Sequence, residues 1–178
     1  MRVFAAPCIV LFTLGLAGCF QVARVPPPPK KPTVATTPKG GFDEAEIGKL
    51  FANFQDGLKN ADSDKLWGLL DAKSQKEADG KAMETSEDFN NSDEKKKAEM
   101  EKNLGLTAAE LQKLDGKGYL KSKRFLGEYH EVPGSKLEKV EVSGDQAEVT
   151  YLEEDGDRPK MNALRDKGRW KLIVKMPR

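Results

Sequence analysis

The chain has 178 residues, 38% of them hydrophobic and 33% charged, with 30 lysines and arginines set against 29 acids. So even a balance excludes the concentrated positive field of a nucleic-acid binder. The two cysteines, Cys8 and Cys19, both lie near the start, so the chain beyond them offers no thiol nucleophile, no disulfide and no cysteine-ligated zinc.

The chain opens with one positive charge, Arg2, and then the apolar run Val3 to Leu16, with no acid before Asp43. This is the charge order of a secretory signal. The run is shorter than the roughly 20 residues a membrane-spanning helix requires, and Pro7 disturbs it near its start. It ends in Leu16-Ala17-Gly18-Cys19, an aliphatic residue, two small residues and a cysteine, which resembles the lipobox of bacterial lipoproteins. The resemblance implies cleavage between Gly18 and Cys19 and acylation of the Cys19 thiol by diacylglycerol. Cys8 then leaves with the signal, residues 1–18. It also implies a cell-envelope protein held on the exported side of a bacterial membrane by its lipid. Phe20 stands where an inner-membrane retention signal would carry Asp, so the outer membrane is preferred.

Residues 19–41 read as a tether. Six of the ten prolines fall between positions 26 and 38, and consecutive prolines favour an extended polyproline path. At about 3.1 Å per residue the segment could reach roughly 70 Å. It carries Arg24, Lys30, Lys31 and Lys39, while residues 42–178 hold 25 basic and 29 acidic side chains. The basic stem reads either as a solvated spacer or as a segment that hugs anionic headgroups.

Residues 42–178 suffice for one domain. Asp43 and Glu46 have capping-box spacing, Phe42 and Ile47 staple spacing, and Ile47, Leu50, Phe51, Phe54 and Leu58 mark one helical face that Asn60 terminates. Asp62 or Ser63 caps a second helix through Leu66, Trp67, Leu69 and Leu70 that fades before Gly80. Lys81 to Ser92 is polar and poorly patterned. Asp93 to Asn103 reads as a charged helix whose Lys95-Lys96-Lys97 is a solvated face. Thr107 and Glu110 form another capping box, with Leu106 and Leu111 at the staple positions and Gly116 as the stop. Tyr119 to Leu126 fits neither period.

Beyond Pro133-Gly134 the period becomes two. Val140 and Val142, then Ala147, Val149 and Tyr151, alternate across a turn at Gly144-Asp145. A third strand near Lys160 to Leu164 and a turn at Asp166-Lys167-Gly168 lead to Trp170, Leu172, Val174 and Met176. The predicted class is α+β, with N-terminal helices packed on a C-terminal curved antiparallel sheet. The order of elements, with Val140 to Val149 and Leu164 to Ile173, resembles the cone-shaped, nuclear-transport-factor-two-like superfamily. That resemblance implies a leading helix pair in the hollow of the sheet. The superfamily includes enzymes, ligand binders and interaction domains, so it transmits no activity.

Chemistry-bearing residues are few. His130, between Tyr129 and Glu131, reads as an exposed loop histidine, with a proton carrier as the rival role. The acidic turn Glu153 to Asp157 lacks EF-hand spacing and reads as a solvated tip. Phe51, Phe54, Trp67 and Trp170 could line an apolar ligand pocket or simply form core. No catalytic residue, metal site or cofactor is assigned. The expectation is a noncatalytic envelope lipoprotein, with membrane contact through Cys19 and an envelope protein or small apolar ligand as partner. The alternatives are a pocket enzyme using His130 or buried carboxylates, and a structural spacer.

Overall fold

A computed structural model describes residues 40–177. The signal and cleavage residues, including Gly18 and Cys19, and nearly all of the tether lie outside this range. The first helix, α1 (Gly40–Lys59), takes in Gly40 and Gly41, which the sequence assigns to the tether. Its buried face is the predicted one, with Ile47, Leu50, Phe51, Phe54 and Leu58 all in the core. Its predicted cap is not formed. Asp43 is buried inside the helix and pairs with the sheet, and Phe42 is 78% exposed rather than stapled to Ile47. The helix ends through Ala61, whose φ of 48° turns the chain, with Asp62 N–H on the Gly57 carbonyl and Ala61 N–H on that of Leu58. This is a Schellman closure with Asn60 as its C-cap.

Asp62 then caps α2 (Ser63–Leu69), its carboxylate accepting from Lys65 N–H at 3.0 Å. The helix does not run on towards Gly80. Leu70 is extended and bridges Leu172 in parallel, and Asp71 starts a new helix, α3 (Ala72–Asn90), by accepting from Lys73 and Ser74 N–H. That helix passes through Gly80 and includes most of the poorly patterned stretch Lys81 to Ser92. Its inward face is Ser74, Ala78, Ala82 and Phe89, a stripe too small and too polar to raise a hydrophobic signal. Packing overrides the cost of about 1 kcal/mol that Gly80 carries relative to Ala.

Asp93 caps α4 (Glu94–Leu104), which stops at the left-handed Gly105. The Thr107 box caps α5 (Ala108–Gln112) with both of its arms made. Gly116 is not the stop of that helix but the start of the next, α6 (Gly116–Leu120), capped by Asp115. A Cβ there would lie 2.4 Å from Asp79 Oδ1 and 2.6 Å from the Trp67 ring, so close approach demands the glycine. Ser122 caps α7 (Lys123–Glu128), so the ambiguous segment Tyr119 to Leu126 is two short helices. A 3-10 turn over Val132–Gly134 leads into the sheet.

Four strands, β1 (Lys136–Ser143), β2 (Gln146–Leu152), β3 (Lys160–Asp166) and β4 (Arg169–Ile173), form an antiparallel meander in chain order. Register puts Val140 opposite Val149, Ala147 opposite Ala163 and Ala163 opposite Leu172, one apolar set on one face. Lys167 and Gly168, both at positive φ, close the β3–β4 hairpin with the twist that a two-residue turn needs. The architecture is α+β, with a curved sheet preceded in the chain by the helices. Helix α1 lies across the inner face, where Phe51 meets Tyr151 at 5.1 Å between ring centroids. At the β4 edge, Asp71 N–H bonds the Leu172 carbonyl at 2.9 Å. Beyond β4 the chain is pinned by Val174 N–H on Ser74 Oγ, by Tyr129 Oη on the Lys175 carbonyl and by Tyr119 Oη on the Pro177 carbonyl. A smaller apolar cluster, Phe89, Leu104, Leu106 and Leu111, sits apart under α4 and α5.

Candidate functional site

Of the four aromatic residues singled out from sequence, Phe51, Phe54 and Trp170 belong to one buried core and Trp67 packs against it. Phe51 and Phe54 are buried one turn apart on α1, against Tyr151 and, at 5.9 Å, Tyr129. Trp170 is buried in β4 beside Asp43, and Trp67 is half-buried against Gly116. None of them lines the depressions beside Lys81, Leu152 or His130.

Around Trp170 the chemistry is ionic but serves packing. Arg165 on β3 reaches back to Asp43 at 2.5 Å and stacks its guanidinium 4.7 Å from the Trp170 ring centroid. The indole N–H points at the same Asp43 oxygen at 3.5 Å. Arg165 Nε is buried without a hydrogen-bond partner, with an Asp145 oxygen 3.7 Å away. Asp43 thus receives the cation and the indole together, which explains why an acid can be buried in the first turns of α1.

The acidic turn acquires a neighbour that its spacing could not reveal. Glu131, ahead of the 3-10 turn, brings a carboxylate to those of Glu153 and Asp155, and oxygen atoms of the three lie within 4.8 Å of one another. Two elements hold this arrangement. Gln55 on α1 donates to the carbonyls of Val132 and Ser135 at 2.9 Å each, fixing the turn after Glu131. Across from it, Glu153 N–H bonds the Asp157 carbonyl and Asp157 N–H bonds Asp155 Oδ1, both at 2.9 Å, which folds the hairpin tip. Burial pushes the Glu153 carboxyl up, reinforced by its hydrogen bond to Glu131 and by the charges of Glu131, Asp155 and Asp157.

His130 stands at the edge of this cluster, its side chain 70% exposed, with Nε2 3.4 Å from Glu131 Oε1 and Nδ1 2.8 Å from the Gly127 carbonyl. A depression of about 440 Å³ is lined by His130, Glu131, Gly134, Glu154 and Asp155. These lining residues supply carboxylates and an imidazole but no hydroxyl or thiol nucleophile. Three carboxylates offer hard oxygen ligands, fewer than the roughly six to eight that calcium takes. What the geometry does directly is crowd like charges around Glu153, which adds to the effect of burial in holding its carboxyl above the ordinary glutamate value. The sequence sets Glu131 beside His130 but does not show that it joins the turn Glu153 to Asp157. The only signal that could have joined them was the Pro133-Gly134 turn folding Glu131 back towards the next hairpin.

Among the described residues no helix is long and apolar enough to cross a membrane. Comparison with known proteins found no family model that matches the chain, and no similar curated protein or solved structure.

Proposed function

We propose that the protein is a bacterial envelope lipoprotein, anchored by a diacylglyceryl group on Cys19, whose domain acts without catalysis by binding a partner protein or a small apolar ligand. The observation that carries this reading is Leu16-Ala17-Gly18-Cys19 at the end of the apolar run Val3 to Leu16. The small residues suit an extended chain in a protease site, and the cysteine follows them directly. The prolines between positions 26 and 38 favour an extended stem between the lipid and the domain. A noncatalytic role is supported by the use of Phe51, Phe54 and Trp170 as core.

The test compares the wild-type chain with Cys19→Ser in a bacterial host fed a clickable palmitate analogue. Wild type is expected to label and to sediment with membranes, and Cys19→Ser to do neither. Equal labelling of the two proteins would refute the anchor. Affinity capture of the detergent-solubilised lipoprotein from its own envelope, with identification of bound proteins and small molecules, then addresses the partner.

A further inference from the structure

We infer that residues 93–113, helices α4 and α5 with their connection, form a hinged flap that opens as one unit while the sheet core stays folded. Three independent features carry this. The first is the backbone: among the described residues, no backbone–backbone hydrogen bond joins residues 93–113 to any other part of the chain. The bonds here are local, such as Lys97 N–H to Asp93, Gly105 N–H to Glu101 and Leu111 N–H to Thr107. The second is the core beneath. The flap closes on Phe89 through Leu104, Leu106 and Leu111, a cluster separate from the one formed by α1 and the sheet, and only half-buried Leu114 packs against both. The third is the nature of the remaining ties. Lys96 to Asp88 at 2.6 Å, Lys121 to Glu110 at 2.5 Å, Lys123 Nζ to the Lys102 carbonyl at 3.3 Å and Ser86 Oγ to the Gln112 carbonyl at 3.0 Å lie at exposed or half-exposed positions, where each contributes little.

The bounds of the flap are hinge-like on one side and fixed on the other. Asn91 and Ser92 form a turn between α3 and α4, and Leu114 and Asp115 leave the helical path before α6. Immediately beyond, Gly116 N–H is held by Asp79 Oδ1 at 3.1 Å, so motion stops there. Swinging out, the flap lifts Leu104, Leu106 and Leu111 off Phe89. It also widens the groove of about 290 Å³ that α4 shares with α3 and α7, lined by Lys81, Asp88, Met100 and Arg124 among others. Elements with few buried apolar contacts and no ladder to their surroundings are those that open below the global unfolding free energy.

Native-state hydrogen exchange of the full chain, followed at rising but sub-denaturing urea, reads this directly. Amides of α4 and α5 are expected to exchange at least ~tenfold faster than those of β2 and β3, with one shared, shallow urea dependence, because the opening exposes little surface. Phe89→Ala is expected to accelerate α4 and α5 together, by a further ~tenfold or more, and to leave β2 and β3 unchanged. The flap is refuted if its amides share the rates and urea slope of the sheet, if Phe89→Ala accelerates α4 without α5, or if that variant fails to fold.

Discussion

Asp43 in α1 and Arg165 in β3 pair at 2.5 Å, joining the first turns of the domain to its third strand. The Asp43 side chain is 8% exposed and that of Arg165 24%. Removing one partner leaves the other half-desolvated, which costs more than removing both. Asp43→Ala is therefore expected to lower stability by about 2–4 kcal/mol, and Asp43→Ala with Arg165→Met by less than Asp43→Ala alone. Urea melts of the two variants and of Arg165→Met give the coupling, and strictly additive losses would show the pair to be inert.

Trp170 is 4% exposed on the inner sheet face beneath that pair. Trp170→Ala is expected to cost about 3–5 kcal/mol, a large share of the stability of a domain of this size. The exposed His130 is the contrast, and His130→Ala is expected to shift stability by no more than about 0.5 kcal/mol and to leave binding of any captured partner intact. Denaturant melts and capture on both variants decide.

Gly116→Ala is expected to destabilise by about 1–3 kcal/mol although alanine is the better helix former, because its methyl must enter the space of Asp79 and Trp67. Gly80→Ala, at a helical position with open space around it, should instead stabilise by about 0.5–1 kcal/mol. Opposite signs in thermal melts of the two variants test the distinction.

Two glutamates should respond to pH in opposite ways. Lys121 and Thr107 hold Glu110 down at about 2 through hydrogen bonds. Its contribution is therefore present above the ordinary glutamate value and is lost as pH falls through the lowered one. Glu153 is pushed up, so the folded protein keeps its proton where the unfolded chain has released it. Stability is then greatest below the ordinary value and declines as pH rises through the raised one. Glu153→Gln is expected to raise Tm at pH 7 and to give a smaller gain at pH 4. Lys121→Ala is expected to move the Glu110 carboxyl titration, followed by NMR, upward. An equal Tm shift for Glu153→Gln at both pH values, or an unmoved Glu110, would contradict these assignments.

Large apolar residues made the fold readable where they recur with a period. Ile47, Leu50, Phe51, Phe54 and Leu58 announced α1, and the alternation through Val149 and Leu172 announced the meander. Helix α3 was hidden because its inward face uses Ser74, Ala78 and Ala82, whose small side chains carry little hydrophobic signal. Asp43 misled because an acid three residues before Glu46 looks like a cap, and only Arg165, distant in sequence, shows that it is a buried ion partner. The carboxylate cluster was half legible. The turn Glu153 to Asp157 is visible as a charge run, but Glu131 joins it only through tertiary folding.

The anchor is tested most directly by mass analysis of the N-terminal peptide of the membrane-bound mature protein. The peptide is expected to begin at Cys19 and to carry a diacylglyceryl thioether on that residue. A membrane-bound protein whose Cys19 is unmodified, or whose N-terminus lies elsewhere, would contradict the lipoprotein reading.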